Sequence, residues 1–310
     1  MNGFFELQPH DVLANLEAFE YAPTGRILQL NSYENRVFDV ELEDKSSLIV
    51  KYYRPGRWTR AAIQDEHDFL IELANEGHRV ASPCKLNAVT IHEFREIFWS
   101  IFPKVRGRLV QEILDPHLGR IGELLAHLHN VGARRPAAHR LTFSCSELGY
   151  PALDFISDWI APEVNGRYKI AAKKILFDLD QILPGLPRLR IHGDFHRGNF
   201  LEIENEFSVV DFDDFCNGPA VQDVWMLTSD PSAEEEDRKL SLLLDGYEKF
   251  RDWPTADRDV LALLRGLRLI HYSGWIARRW NDPSFPRLFP EFNTFNYWSE
   301  ETETLESISR

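Results

Sequence analysis

Residues 188–215 read RLRIHGDFHRGNFLEIENEFSVVDFDDF and crowd two histidines, an amide at Asn199 and four aspartates between strands that look buried. Ile191, Phe200, Leu201, Val209 and Val210 alternate with turns, the pattern of short strands flanking a loop. Structural polar residues usually occur singly, and each needs a partner. A cluster of them at strand ends is where sites are built. The hairpin therefore demands a fold that covers its apolar residues and a chemistry that uses its polar ones.

Bulk properties allow such a fold. The 310 residues exceed the usual size of one domain and suggest two lobes of roughly 100 and 200 residues. A hydrophobic fraction of 44%, an aromatic fraction of 12% and eight Trp are the composition of a packed globular enzyme. The net charge of -14, with no segment dominated by Lys and Arg, speaks against a nucleic-acid binder and suits a cationic or neutral substrate. Cys84, Cys145 and Cys216 are isolated, so neither a disulfide framework nor a zinc knuckle is signalled, and a reducing cytoplasm is expected. No apolar run reaches the ~18 residues of a membrane span, and MNGFFELQPHDV lacks the regions of a signal peptide. A soluble, unexported monomer without membrane contact is the expectation.

Along the chain, a short helical start at 9–19 precedes the strands RILQLN, NRVFDVEL and SLIVKYY, one helix, and the strands AVTIH and REIFWSIF. Thr59 is a fitting N-cap for that helix and Gly77 a fitting stop. Pro103 ends the last strand. Beyond it HLGRIGELLAHLHNVG, GRYKIAAKKILFDLDQIL, AEEEDRKLSLLLDGYEKF and DRDVLALLRGLRLIHYSGWIARRW show helical apolar spacing. The fold class is α+β, with a small antiparallel-sheet lobe over 1–103 that carries one helix, a larger mainly helical lobe over 104–310, and an expected cleft between them.

Within the hairpin, His192-Gly193-Asp194 is followed five positions later by Asn199, and Asp211 ends the strand SVV. The spacing resembles the H-x-D-x-x-x-x-N catalytic loop of kinases. Phosphoryl transfer needs a carboxylate to orient the attacking hydroxyl and hard oxygen ligands to hold Mg2+ on the nucleotide phosphates. Asp194, Asn199 and Asp211 supply those oxygens. Asp213 of DFDD is open between a cation ligand and a turn residue, and Asp214 fits a surface turn. His196, two residues after Asp194, lies within reach of a transferred phosphate or caps the turn, whereas His192 suits a loop-holding role. A metal-dependent hydrolase on His192, His196, Asp211 and Asp213 is the competing chemistry.

A kinase also needs a cation on the phosphates and a carboxylate to fix it. On the helix after Thr59, Asp65, Asp68, Glu72 and Glu76 follow a polar stripe, while Glu66 falls among the apolar positions and points inward. An inward carboxylate is costly unless paired, and Lys51 on SLIVKYY is the nearest suitable partner. No G-x-G-x-x-G covers the phosphates; residues 31–36, NSYENR, stand in its place, where Ser32 and Asn35 offer donors or simply form a turn. Asp223, at the start of a helix, either braces the catalytic loop through its amides or stabilises that helix. The C-terminal aromatic run RRWNDPSFPRLFPEFNTFNYW reads as packing, with a wall of the acceptor site as the other use.

The segments LNSYENRVF, VKYYRPGRW, EHDF, FPKVRGR, IHGDFHRGN, VDFDD, NGPAVQDVWML and RRWNDPSFPRLFP resemble the aminoglycoside phosphotransferase and choline kinase family, over nearly the whole chain. The resemblance implies a two-lobed protein-kinase-like fold that uses ATP and Mg2+. It also implies a bacterial branch that phosphorylates protein Ser or Thr in a stress response. By that resemblance Asp194 is the catalytic base, Asn199 and Asp211 bind Mg2+, Lys51 contacts the ATP phosphates and Glu66 holds Lys51. Gly193 stands where many regulated protein kinases have Arg, so no cation meets a phosphorylated activation loop there. The shared HGD loop leaves a small-molecule alcohol kinase as the alternative, and a pseudokinase scaffold as the non-enzymatic one.

Overall fold

The computed structural model describes residues 2–253 and 258–310. Helices α1 (Asn2–Glu6) and α2 (Pro9–Glu17) precede strands β1 (Pro23–Leu30), β2 (Arg36–Leu42) and β3 (Ser47–Tyr52). Helix α3 (Arg60–Asn75) follows, then β4 (His92–Phe94), β5 (Ile97–Pro103) and the short β6 (Arg108–Leu109). Helices α4 (Asp115–Gly132), α5 (Tyr150–Phe155) and α6 (Asn165–Ile182) lead to β7 (Arg188–Ile191), β8 (Phe200–Ile203), β9 (Glu206–Val209) and β10 (Cys216–Pro219). The chain continues through α7 (Gln222–Thr228), α8 (Ala233–Tyr247), α9 (Arg258–Arg279), α10 (Phe285–Leu288) and α11 (Phe295–Ile308). The class is the expected α+β. The start expected for the ninth helix at Asp257 lies outside the described residues.

Two compact units result, and neither is one contiguous stretch as a single division at Pro103 would give. One comprises Met1–Glu112, Ala137–Arg140 and Arg197–Phe215; the other comprises Ile113–Pro136, Leu141–His196 and Cys216–Arg310. In the first, an antiparallel sheet runs in the order β1-β2-β3-β5-β4. Strand alternation sorts its side chains: Phe38, Val40, Val50, Tyr52, Trp99 and Ile101 share a core with Val12 and Leu16 of α2. Lys51, between Val50 and Tyr52, projects from the opposite face. In register it lies between Val37 of β2 and Ser100 of β5.

Helix α3 has the ends its sequence announces. The Thr59 side chain accepts a hydrogen bond from the Ala62 amide at 3.1 Å. At the other end Gly77 adopts φ +85°, His78 N bonds Leu73 O and Gly77 N bonds Ala74 O, both at 3.0 Å, which is a Schellman closure. The strand expected at AVTIH is shorter and later, at β4. Asn87 and Ala88 both have positive φ and form a turn bridged by Leu86 and Val89, so only His92–Phe94 remains to pair with β5. The hairpin strands β8 and β9 pair Phe200 with Val209 and form a small sheet with β6 in the same unit.

The second unit buries the apolar faces of α5, α6, α9 and α11 in one core. Helices α4 and α8 approach closely because Gly122 and Gly246 lie at their crossing: a Cβ on Gly122 would collide with Leu243 O, and one on Gly246 with Gly119 O. The aromatic run near the C-terminus is packing: Trp275 meets Phe285 at 4.9 Å, Phe292 meets Trp298 at 5.3 Å, and Trp159 meets Trp280 at 5.8 Å. Among the described residues no helix is long and apolar enough to cross a membrane.

Candidate active site

The first unit gathers a buried charge network. Glu66 on α3 is 1% exposed, as its place in the apolar stripe requires. Its Oε1 lies 3.4 Å from Lys51 Nζ, and its Oε2 accepts from Arg140 Nη2 at 2.9 Å. Lys51 also pairs with Asp213, whose carboxylate takes Lys51 on one oxygen and the Asn35 side-chain amide and Arg57 on the other. Arg57 reaches Asp214 as well, at 2.7 Å. Burial opposes the charge of Lys51, but the carboxylates of Asp213 and Glu66 outweigh it and hold the ammonium well above its usual range. Burial likewise opposes the charge of Asp213, and Lys51 and Arg57 overcome it, so Asp213 is the more firmly ionised partner of Lys51. Glu66 shifts the other way, raised chiefly by its burial.

Local sequence explains how Asp213 arrives there. Asp211 takes the left-handed conformation at φ 62° and ψ 68°, and the turn Phe212–Asp214 follows. The flanking Phe212 and Phe215 are buried against Phe69 of α3, with ring centroids 6.0 and 5.1 Å away. These apolar anchors leave Asp213 facing the Lys51 side of the sheet. Arg140 supports the same turn: it donates to Phe212 O at 3.3 Å and lies over the Trp58 ring at 4.1 Å.

Ser32 and Asn35, the candidates for covering phosphate, are engaged within the protein. Ser32 Oγ accepts from the Asn35 backbone N–H at 3.2 Å, Asn35 Oδ1 accepts from Arg54 N at 3.2 Å, and the Asn35 side-chain Nδ2 donates to Asp213. Arg54 in turn donates to the carbonyls of Tyr33 and Glu34, so the turn that replaces a glycine loop is tied down by side chains. At the far end of the hairpin, Val210 N donates to Asn199 O at 3.0 Å, which sets Asn199 and Asp211 at the same end of β8 and β9. Asp211 keeps solvent access, yet the protein crowded about it and then the neighbouring Asp213 push its carboxyl upward.

That donor set suits a particular cation. Among the described residues no three His, Cys, Asp or Glu side chains are grouped to hold a metal ion. The Asp211 carboxylate and the Asn199 carboxamide are hard oxygen donors of the kind that would suit Mg2+, which keeps several waters and completes its shell with substrate phosphates.

The second unit carries Asp194. Its loop is braced from behind: Asp223 accepts from His192 N at 2.7 Å and from Gly193 N at 2.8 Å, so this residue holds the loop by its amides. Asp223 is itself fixed by His129 at 3.2 Å, and His129 meets the Tyr247 hydroxyl at 2.9 Å. Gln222 donates to Gly193 O at 3.1 Å, and Gly193 takes φ +83°, a conformation that favours glycine. His192 is buried, and its Nδ1 accepts the Asp194 amide hydrogen at 3.3 Å, the loop-holding role expected of it. The Asp194 carboxylate meets Arg268 Nη2 at 2.7 Å and His196 Nε2 at 3.2 Å. Burial works against its charge, but the His196 bond and Arg268 outweigh it and hold the carboxyl well below the usual range.

Sequence reasoning missed Arg57, Arg140 and Arg268. Arg57 sits in the turn RPGRW, where an arginine beside a buried lysine strand was a usable signal. Arg140 and Arg268 gave none, since their partners lie far away in sequence.

Residues 26–261 match the phosphotransferase enzyme family APH. Stress response kinase A of Escherichia coli (strain K12) is 34% identical over 97% of this chain and 92% of its own length. The serine/threonine protein kinase RdoA of Salmonella typhimurium (strain LT2) is 33% identical over the same shares. Among solved structures, amicoumacin kinase hAmiN, in complex with AMP-PNP, Ca2+ and Ami, aligns with a TM-score of 0.76 at 17% identity, covering 96% of this chain and 92% of that one. The microcompartment-associated aminopropanol kinase aligns with a TM-score of 0.75 at 19% identity, covering 96% and 98%. The fold is therefore kinase-like, and the chain belongs to the APH phosphotransferase enzyme family and is a kinase related to stress response kinase A.

Proposed function

We propose that this kinase transfers the γ-phosphoryl group of ATP to Ser or Thr hydroxyls of a protein, with Mg2+ as its cation. The observation that carries the reading is the Asp194 carboxylate, ionised and fixed on a braced loop, five residues before Asn199. In the step, the acceptor hydroxyl oxygen bonds to the γ-phosphorus, the bond to the bridging oxygen of the β-phosphate breaks, ADP departs, and the hydroxyl proton passes to Asp194. Lys51, kept charged by Asp213 and Glu66, offers its ammonium to the phosphates. Asn199 and Asp211 would hold the cation, which would supply positive charge against the phosphate oxygens. Ser32 and Asn35 shape the turn over the nucleotide.

The protein acceptor is supported by the relatives' names, which carry "stress response" and "serine/threonine protein kinase". The isolated cysteines accord with a reducing cytoplasm. Hydrolysis on the histidine pair is disfavoured because His192 is buried and used as an acceptor within the loop. Incubation with labelled ATP, Mg2+ and a basic test protein is the experiment. Label on Ser or Thr of that protein, or of the kinase itself, is expected; consumption of ATP that depends on a metabolite extract and never on protein would replace this reading with a small-molecule alcohol kinase.

A further inference from the structure

The loop that carries Asp194 is braced from behind through its backbone, and the Asp194 carboxylate meets a partner in front that comes from a helix outside the hairpin. Helix α9 buries Leu264, Leu267 and Ile270 in the core of the second unit. Arg268 is one turn beyond Leu264 and so falls at the edge of that apolar face, with its side chain 33% exposed. Its guanidinium lies 2.7 Å from Asp194 Oδ1, whereas His196 lies 3.2 Å from Oδ2. A helix anchored along its length by leucines is a stiff mount, and a guanidinium has little rotational freedom once bonded. Asp223 and Gln222 fix the backbone of the loop, but they do not set the Asp194 side-chain torsions. Arg268 does.

Resting on the kinase reading above, we propose that Arg268 is a positioning residue for phosphoryl transfer. It holds Oδ1 so that Oδ2, whose contact is the longer, faces the acceptor hydroxyl and receives its proton. The bond changes are those already given: oxygen to phosphorus forms, the β–γ bridge breaks, and the proton ends on Asp194. As an ordinary half-exposed ion pair the contact would contribute little to stability and nothing to rate. As a positioning contact it carries rate without carrying nucleotide binding.

The test compares the full-length wild type with Arg268→Met, Arg268→Lys and Asp194→Asn. Loss of γ-phosphate from ATP is followed in a single turnover at saturating Mg2+ and ATP, counting phosphate released to water and phosphate placed on protein. ATP affinity is measured separately by calorimetry. Arg268→Met is expected to slow the turnover about 10- to 100-fold, the scale of a misplacement of about 1 Å, with the ATP dissociation constant unchanged within about twofold. Arg268→Lys recovers part of the rate, and added guanidinium ion at non-denaturing concentration raises the rate of Arg268→Met but not of the wild type. A wild-type rate in Arg268→Met beside an inactive Asp194→Asn overturns the proposal and leaves the kinase reading standing. Full activity in Asp194→Asn overturns both. Should Arg268→Met fail to fold, Arg268→Lys decides, since a rate equal to wild type with no guanidinium response in either protein contradicts a geometric role.

Discussion

Replacing Asp213 by Asn removes one charge from the centre of the first unit while keeping shape and hydrogen-bonding atoms. Asp213 is 5% exposed and meets Lys51, Arg57 and Asn35. Deleting one partner of a buried ion pair costs about 3–5 kcal/mol, because the remaining charge stays buried without compensation. Two contacts soften the loss here: Glu66 stays 3.4 Å from Lys51, and Asp214 stays 2.7 Å from Arg57. The lower edge, about 3 kcal/mol, is therefore the expected cost. At about 2 °C per kcal/mol for a chain of this size, the melting temperature should fall by about 6 °C. Asp214→Asn is the internal control, since Asp214 is 52% exposed at its side chain. Its ion pair with Arg57 is worth about 0–1 kcal/mol and its loss should move the transition by less than about 2 °C. Circular dichroism melts of the three proteins in one buffer decide the matter. Equal shifts for the two variants, or no shift for Asp213→Asn, would refute the claim that Asp213 is the chief counter-charge of Lys51.

Other expectations follow from single contacts. Arg140→Met strips Glu66 of its 2.9 Å partner and leaves a buried carboxylate on Lys51 alone, a loss of about 3 kcal/mol visible in the same melts. Asp223→Ala orphans the amides of His192 and Gly193, at about 1–3 kcal/mol each, and should slow phosphoryl transfer as well as lower the melting temperature, because the same bonds place Asp194. Glu301 on α11 is pushed up to about 7, chiefly by burial, against an ordinary value of 4.5. The folded state therefore holds that proton more tightly than the unfolded one, and the contribution to stability falls as pH rises from about 4.5 through about 7. Glu301→Gln should accordingly narrow the difference between melting temperatures taken at about pH 5 and about pH 8; an unchanged difference would refute the assignment.

What the sequence disclosed was what is local. Thr59 and Gly77 bracket α3 through bonds that span three to five residues, and strand alternation sorts Lys51 from Val50 and Tyr52 without reference to anything distant. Helical periodicity sufficed to turn Glu66 inward, and the cost of a lone buried carboxylate sufficed to point it at Lys51. The partners of that pair were hidden because they are remote: Asp213 is 162 positions from Lys51, and Arg140 is 74 from Glu66. Turn composition at residues 32–35 permits a phosphate cradle and an ordinary turn equally, and nothing local announces that the Asn35 amide goes to Asp213, 178 positions away. Asn87 tolerates a left-handed turn and was a usable signal, but Ala88 does not mark one, and its place at the head of an apolar run puts the strand before β5 too early. Arg268 lies at the edge of an apolar helix face, a place where an arginine usually has only solvent to meet.

The most direct measurement is the rate of γ-phosphate transfer from ATP by Asp194→Ala, set beside the wild type at matched Mg2+ and ATP with a protein acceptor present. If Asp194 orients the attacking hydroxyl and takes its proton, the rate falls by about 10²–10⁴-fold while ATP still binds. Transfer by Asp194→Ala at the wild-type rate would contradict the account.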